Sequence, residues 1–148
     1  TELGHTAEKK FYLASLTGID CKIARRISSL SSYELVKETE IVIVESSSLG
    51  YECLGMGMRV GFIAFRPQHR QDRRFGKPLE FGEKGPFWTN DPSEEEIGRI
   101  LDYLLSVSDE QWERDSGWIR DQLMVHDYGN TKIRAYVEGV LTDSLESK

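Results

Sequence analysis

The sequence predicts an α/β fold in three layers: a parallel sheet, incomplete at three or four strands, flanked by helices and followed by a helical C-terminal segment. Three observations predict it. Residues 41–45 place Ile41, Val42, Ile43 and Val44 in a row, the pattern of a buried strand. Residues 59–65 (RVGFIAF) form a second apolar run, and the stretch between reads as a short helix ended by Gly57. Strand, helix and strand at that spacing make a βαβ unit, which implies parallel pairing.

The elements follow in chain order. Residues 6–17 carry Phe11, Leu13, Ala14 and Leu16 behind Thr6 as an N-cap, with Gly18 as a stop, and predict a helix. Residues 19–27 suggest a short strand, weakened by Lys22, Arg25 and Arg26. Ser31 and Glu34 have the spacing of a capping box opening a short helix over Tyr33, Leu35 and Val36. After the strand at 41–45 come a helix over 48–56 and the strand at 59–65. Residues 66–92, rich in Arg, Gly and Pro, read as one long irregular connection, the kind that is functional or mobile in a compact domain.

The remainder reads as three helices. Asp91-Pro92-Ser93 ahead of Glu94, Glu95 and Glu96 is a well-formed start, with carboxylates at the positive dipole end. Ile97, Ile100, Leu101, Leu104 and Leu105 form the apolar face of that helix. A second starts near Ser108 and carries Trp112, Trp118, Ile119 and Leu123. The turn Asp127-Tyr-Gly-Asn130 leads to a third, through Ile133, Tyr136, Val137, Val140 and Leu141. Only three strands are legible. We therefore expect the missing strand to precede residue 1, leaving a sheet edge open to dimerisation or to an absent partner domain.

The strand at 41–45 ends in Glu45-Ser-Ser-Ser-Leu-Gly-Tyr-Glu52, a serine-rich bend that opens directly into a helix. Such a helix start aims backbone N–H groups at whatever sits above the sheet, a ready phosphate site. Glu52, about one turn on, is placed to accept hydrogen bonds from a ribose or sugar hydroxyl. The plainer alternative is a serine-capped helix with no ligand.

At 148 residues the chain is most simply one domain, 1–148, with an α/β part to residue 92 and a helical tail from 93. A net charge of −6 argues against nucleic acid as a partner. A basic run over 66–77 could still close on a diphosphate, with Arg66 the best placed because it leaves the second strand directly. The same run could instead touch RNA, or be a solvated loop. No apolar stretch approaches the ~20 residues of a membrane span. Cys21 and Cys53 have no metal spacing and suggest reduced thiols in a cytoplasmic protein. His5, His69 and His126 are too scattered to suggest a metal site, and we expect no metal or cofactor. The three tryptophans read as packing residues, with Trp88, in the long connection, the one exception that could meet a sugar. The chain starts on Thr1 rather than Met, so we expect it to be the C-terminal part of a larger protein.

Together Ser31-Ser-Tyr-Glu-Leu, the strand Ile41–Val44, the run Ser47-Ser-Leu-Gly-Tyr-Glu-Cys-Leu-Gly-Met-Gly and the strand over 60–65 resemble a known domain. It is the Rossmann-like C-terminal nucleotide-sugar-binding domain of GT-B-type glycosyltransferases, most similar to bacterial surface-carbohydrate biosynthesis proteins. Gly85-Pro-Phe-Trp-Thr-Asn90 and Asp127-Tyr-Gly-Asn-Thr131 resemble that family's tail. The likeness covers roughly residues 19–141. The bend itself is shared with other nucleotide-sugar enzymes. The resemblance implies that Ser46, Ser47 and Ser48 line the phosphates, that the amides of Leu49 and Gly50 complete the cradle, and that Glu52 faces the ribose. Two positions depart from the family pattern. Ser48 stands where Thr is common, which keeps the hydroxyl, and Met58 stands where Lys is usual, which removes a charge.

The implied function is the donor half of a glycosyltransferase-like protein of surface-carbohydrate biosynthesis, with a nucleotide diphosphate sugar as substrate. It would work in the cytoplasm or at the inner face of the membrane. The family's N-terminal domain, which supplies the acceptor site, has no counterpart in this sequence, so the isolated chain is expected to bind nucleotide weakly and turn over nothing. The alternative is a non-catalytic Rossmann-like interaction module that dimerises through its exposed sheet edge.

Overall fold

A computed structural model describes residues 2–21, 24, 28, 31–45, 47–65, 82–124 and 126–146. It contains two compact units, Thr1–Lys37 and Glu38–Lys148.

In the first unit, α1 (Glu2–Ser15) begins four residues earlier than Thr6, so Thr6 lies inside the helix rather than capping it. Thr17 donates its hydroxyl to the Ala14 carbonyl at 2.9 Å, and Gly18 takes a positive φ of 84° that ends the segment. Phe11, Tyr12 and Leu13 are exposed. The expected strand over 19–27 falls mostly outside the described residues, and Ile19, Asp20, Cys21 and Ala24 are not in a strand. The helix α2 (Ser31–Val36) starts on Ser31, whose hydroxyl accepts the amide of Ser28 at 2.8 Å.

Among the described residues the second unit holds an open α/β sheet of four strands, mostly parallel, with a helical C-terminal segment. Strands β1 (Ile41–Val44), β2 (Arg59–Ile63), β3 (Lys84–Gly85) and β4 (Trp88–Thr89) lie in the order β1-β2-β4-β3. The pairs β1/β2 and β2/β4 are parallel, and β3/β4 is an antiparallel hairpin. The hairpin corrects the expectation of an irregular 66–92: residues 66–81 lie outside the described residues, but 84–89 complete the sheet. Trp88 is accordingly no loop residue. Its indole covers Gly85 on the neighbouring strand and donates to the Gly82 carbonyl at 3.1 Å.

The register sorts side chains onto two faces. Val44 pairs with Phe62 and Phe62 with Trp88, so these three share one face; Ile43 and Gly61 share the other. Helix α3 (Ser48–Gly55) covers the Phe62 face and packs on α5 (Asp109–Leu123). Helix α4 (Glu94–Ser106) covers the opposite face. Gly61 is what lets it in: a Cβ there would meet Ile43, Ile100 and Leu104 at 2.7–3.0 Å.

Each of these helices begins on a serine cap. The Ser47 hydroxyl accepts from Leu49, that of Ser93 from Glu96, and that of Ser108 from Gln111. The core is aromatic on the α3 face. Phe87 lies edge-on to both Trp88 and Trp112 at 5.0 Å, and Phe62 stacks obliquely on Tyr51. The Trp112 indole donates to the Gly57 carbonyl at 2.9 Å, tying α5 to the turn that ends α3. Trp118, expected in the core, is 51% exposed.

The last helix, α6 (Thr131–Glu146), starts where the sequence places it. Asp127 accepts the Thr131 hydroxyl and the Lys132 amide, and Gly129 and Asn130 take positive φ angles of 82° and 56°. These hydrogen bonds, the Thr131 hydroxyl first, hold the Asp127 carboxyl below its usual range. The stripe Ile133, Tyr136, Val137 and Val140 is exposed.

Candidate functional site: the carboxyl edge of the sheet

In an open parallel sheet the chain leaves each strand at the same edge, and ligands sit in the crevice outside it. Three parallel strands end here: β1 runs into the bend before α3, β2 into Ala64 and Phe65, and β4 into Asn90 and Asp91.

The bend is where the sequence places it. Ser47 is extended (φ −81°, ψ 129°) and caps α3; its hydroxyl accepts the Leu49 amide at 3.3 Å, and its carbonyl accepts the Gly50 amide at 3.1 Å. The turn thus satisfies part of its own donor set. Ser47 and Ser48 are exposed, and Leu49 and Glu52 are half-buried. Ser46 and Arg66 lie outside the described residues.

Gly50 has a further role that its sequence position did not reveal. A Cβ on it would lie 2.4 Å from Val44 Cγ2 and 3.2 Å from Phe62 Cε1. Its lack of a side chain lets the first turn of α3 rest directly on the end of β1. This is the job that a glycine does in close helix–strand packing of nucleotide-binding βαβ units. Cys53, one turn later, is wholly buried; burial, then the charge of Glu52, pushes its thiol above the ordinary range. It is a packing residue rather than a nucleophile.

The other half of the edge, at the end of β4, escaped the sequence reading. Thr89 is 1% exposed and its hydroxyl accepts the Asp91 amide at 3.0 Å. Asn90 is 8% exposed. Its backbone amide donates to the Glu83 carbonyl at 3.0 Å, and its side-chain nitrogen donates to the Glu83 carboxylate. Its side-chain oxygen is buried and has no hydrogen-bond partner among the described residues. Its traces in the sequence were an apolar Phe87-Trp88 run closed by Thr-Asn-Asp-Pro, which reads equally well as a turn, and the likeness of Gly85–Asn90 to a family tail, which marks no site.

Behind this corner, Arg99 joins the hairpin to α4. It donates to the Gly85 carbonyl at 2.9 Å and to the Pro86 carbonyl at 3.3 Å, and pairs with Glu96 at 2.8 Å. Lys84 reaches Glu96 at 3.5 Å. The hydrogen bonds from Arg99 hold the Glu96 carboxyl down to about 2, against the cost of its desolvation. Among the described residues no three His, Cys, Asp or Glu side chains converge as metal ligands, and no helix is long and apolar enough to cross a membrane.

Comparison with curated proteins and with solved structures gave no match. A family model described as "putative O-antigen biosynthesis protein" matches residues 1–140, nearly the whole chain. The chain, with its sheet edge and serine-capped helix, belongs to that family, which assigns it to surface-carbohydrate biosynthesis.

Proposed function

We propose that the carboxyl edge of the sheet binds a nucleotide diphosphate sugar, and that the chain is the donor-binding part of a glycosyltransferase-like protein of O-antigen biosynthesis. One observation carries the reading: α3 starts on exposed serines at the end of a parallel strand, with Gly50 seating its first turn against the sheet. The helix N-terminus and the Ser47 and Ser48 hydroxyls favour negative charge at that point. On this reading they stabilise the diphosphate as it departs, and Glu52 accepts from a ribose hydroxyl. Arg66, three residues beyond β2 in sequence and outside the described residues, is the basic residue we would assign to the diphosphate. The family description fits, because O-antigen chains are built from sugars.

Titration calorimetry with UDP, GDP and CDP tests it. Binding by the wild type that is lost in the Ser48→Ala/Glu52→Ala variant supports the proposal. No binding by the wild type, together with a concentration-dependent dimer, favours the interaction module instead. That outcome has a surface available, since β1 pairs only with β2 among the described strands.

A further inference from the structure

We propose that Asn90 reads the sugar at this edge, its side-chain carbonyl accepting a hydrogen bond from a ligand hydroxyl. The inference rests on the nucleotide-sugar reading and says which part of the ligand the far side of the edge recognises. Val44, Phe62 and Trp88 form one row across the sheet on the face that α3 covers. Asn90 follows β4 directly, at the edge where α3 begins, and its backbone amide donates to the Glu83 carbonyl across the hairpin. Two strand spacings of about 4.8 Å put the end of β4 about 10 Å from the end of β1. That matches the reach from a diphosphate to the hydroxyls of the sugars it joins.

The amide is also oriented. Its nitrogen is committed to Glu83, which leads into β3 on the outer side of β4. The oxygen is therefore the end of the amide left over. A buried carboxamide oxygen without a donor is uncommon in a folded chain. Here the residue is more than nine-tenths buried and its oxygen has no partner among the described residues, at the end of a strand that pairs with β2. An acceptor with no protein partner selects a donor from outside. Of the groups in a nucleotide sugar, the diphosphate offers only acceptors, whereas the base N–H groups and the hydroxyls of the ribose and the transferred sugar are donors; the test separates the sugar from the nucleoside.

The test compares UDP with UDP-glucose by calorimetry on the wild type, Asn90→Ala and Gly98→Ala. Gly98 lies in α4, where an added Cβ meets nothing within 4 Å, so Gly98→Ala is expected to bind as the wild type does. Losing one hydrogen bond should weaken binding to Asn90→Ala about tenfold. A loss confined to UDP-glucose assigns the transferred sugar; an equal loss for UDP puts the contact on the nucleoside and overturns the inference. Unchanged affinities in Asn90→Ala overturn the inference while leaving the nucleotide reading intact. Failure of the wild type to bind either ligand removes both. If Asn90→Ala does not fold, the side-chain amide resonances of Asn90 in the wild type decide: they shift on titration with UDP-glucose, or the inference is wrong.

Discussion

Gly50→Ala should destabilise the protein even though alanine is the better helix former. The new methyl carbon would stand 2.4 Å from Val44 Cγ2, about 1 Å inside ordinary contact, and 3.2 Å from Phe62. Val44 is β-branched and set in the sheet, so relief requires an off-rotamer side chain or a lifted helix. Overpacking of this kind costs roughly 1–3 kcal/mol, against which the helix propensity of alanine returns about 0.5–1 kcal/mol. A net loss of about 1–2 kcal/mol lowers the melting temperature by roughly 3–8 °C in a chain of this size. Urea denaturation followed by circular dichroism measures it. The double variant Gly50→Ala/Val44→Ala should recover about 1 kcal/mol relative to the sum of the single changes, because the added methyl fills the space that Val44 vacates. Gly98→Ala supplies the opposite sign. A Cβ there meets nothing within 4 Å, so the change should stabilise by about 0.5–1 kcal/mol. A neutral Gly50→Ala, or a double variant that is merely additive, would refute the close seating of α3.

Other changes test the frame around the site. Trp112→Phe removes the donor to the Gly57 carbonyl and should cost about 1–3 kcal/mol, read as a lower urea midpoint at unchanged slope. Ser93→Ala removes the cap of α4 and should cost about 1 kcal/mol in the same measurement. Glu96 carries a pH signature. Its carboxyl is held at about 2 in the folded chain, against 4.5 for the free group, so its contribution is complete above 4.5 and is lost as the pH falls towards 2. Stability profiles of wild type and Glu96→Gln should therefore run parallel at neutral pH and converge in acid. Profiles that stay parallel down to about pH 2 would show that the Arg99 contact contributes nothing.

The parts of the fold legible in the sequence are those with a local cause. Four β-branched residues announce β1, serines at 47, 93 and 108 mark three helix starts, and Gly57 marks an end. The hairpin had no such cause. Strands of two residues are shorter than any alternation that could reveal them, and β3 and β4 exist because Arg99, Trp88 and the edge of β2 hold them. Asn90 was hidden for the same reason. A single asparagine before Asp-Pro reads as a turn until a strand is known to precede it. Gly50 was legible as a turn residue, but its contact with Val44 depends on the docking of α3 and no local pattern encodes that.

Helix α6 stands apart from this frame in one respect: from Thr131 to Val140 every residue is exposed, apolar stripe included. A helix of sixteen residues whose first ten are all exposed lies near the limit of what hydrogen bonds and a good cap sustain in water. Its backbone amides should then trade protons for deuterons long before those of α4, where Ile100 and Leu104 are sealed against Gly61. Any molecule that shields the stripe would slow that exchange first at Tyr136, Val137 and Val140, so the labelling pattern would itself map the contact.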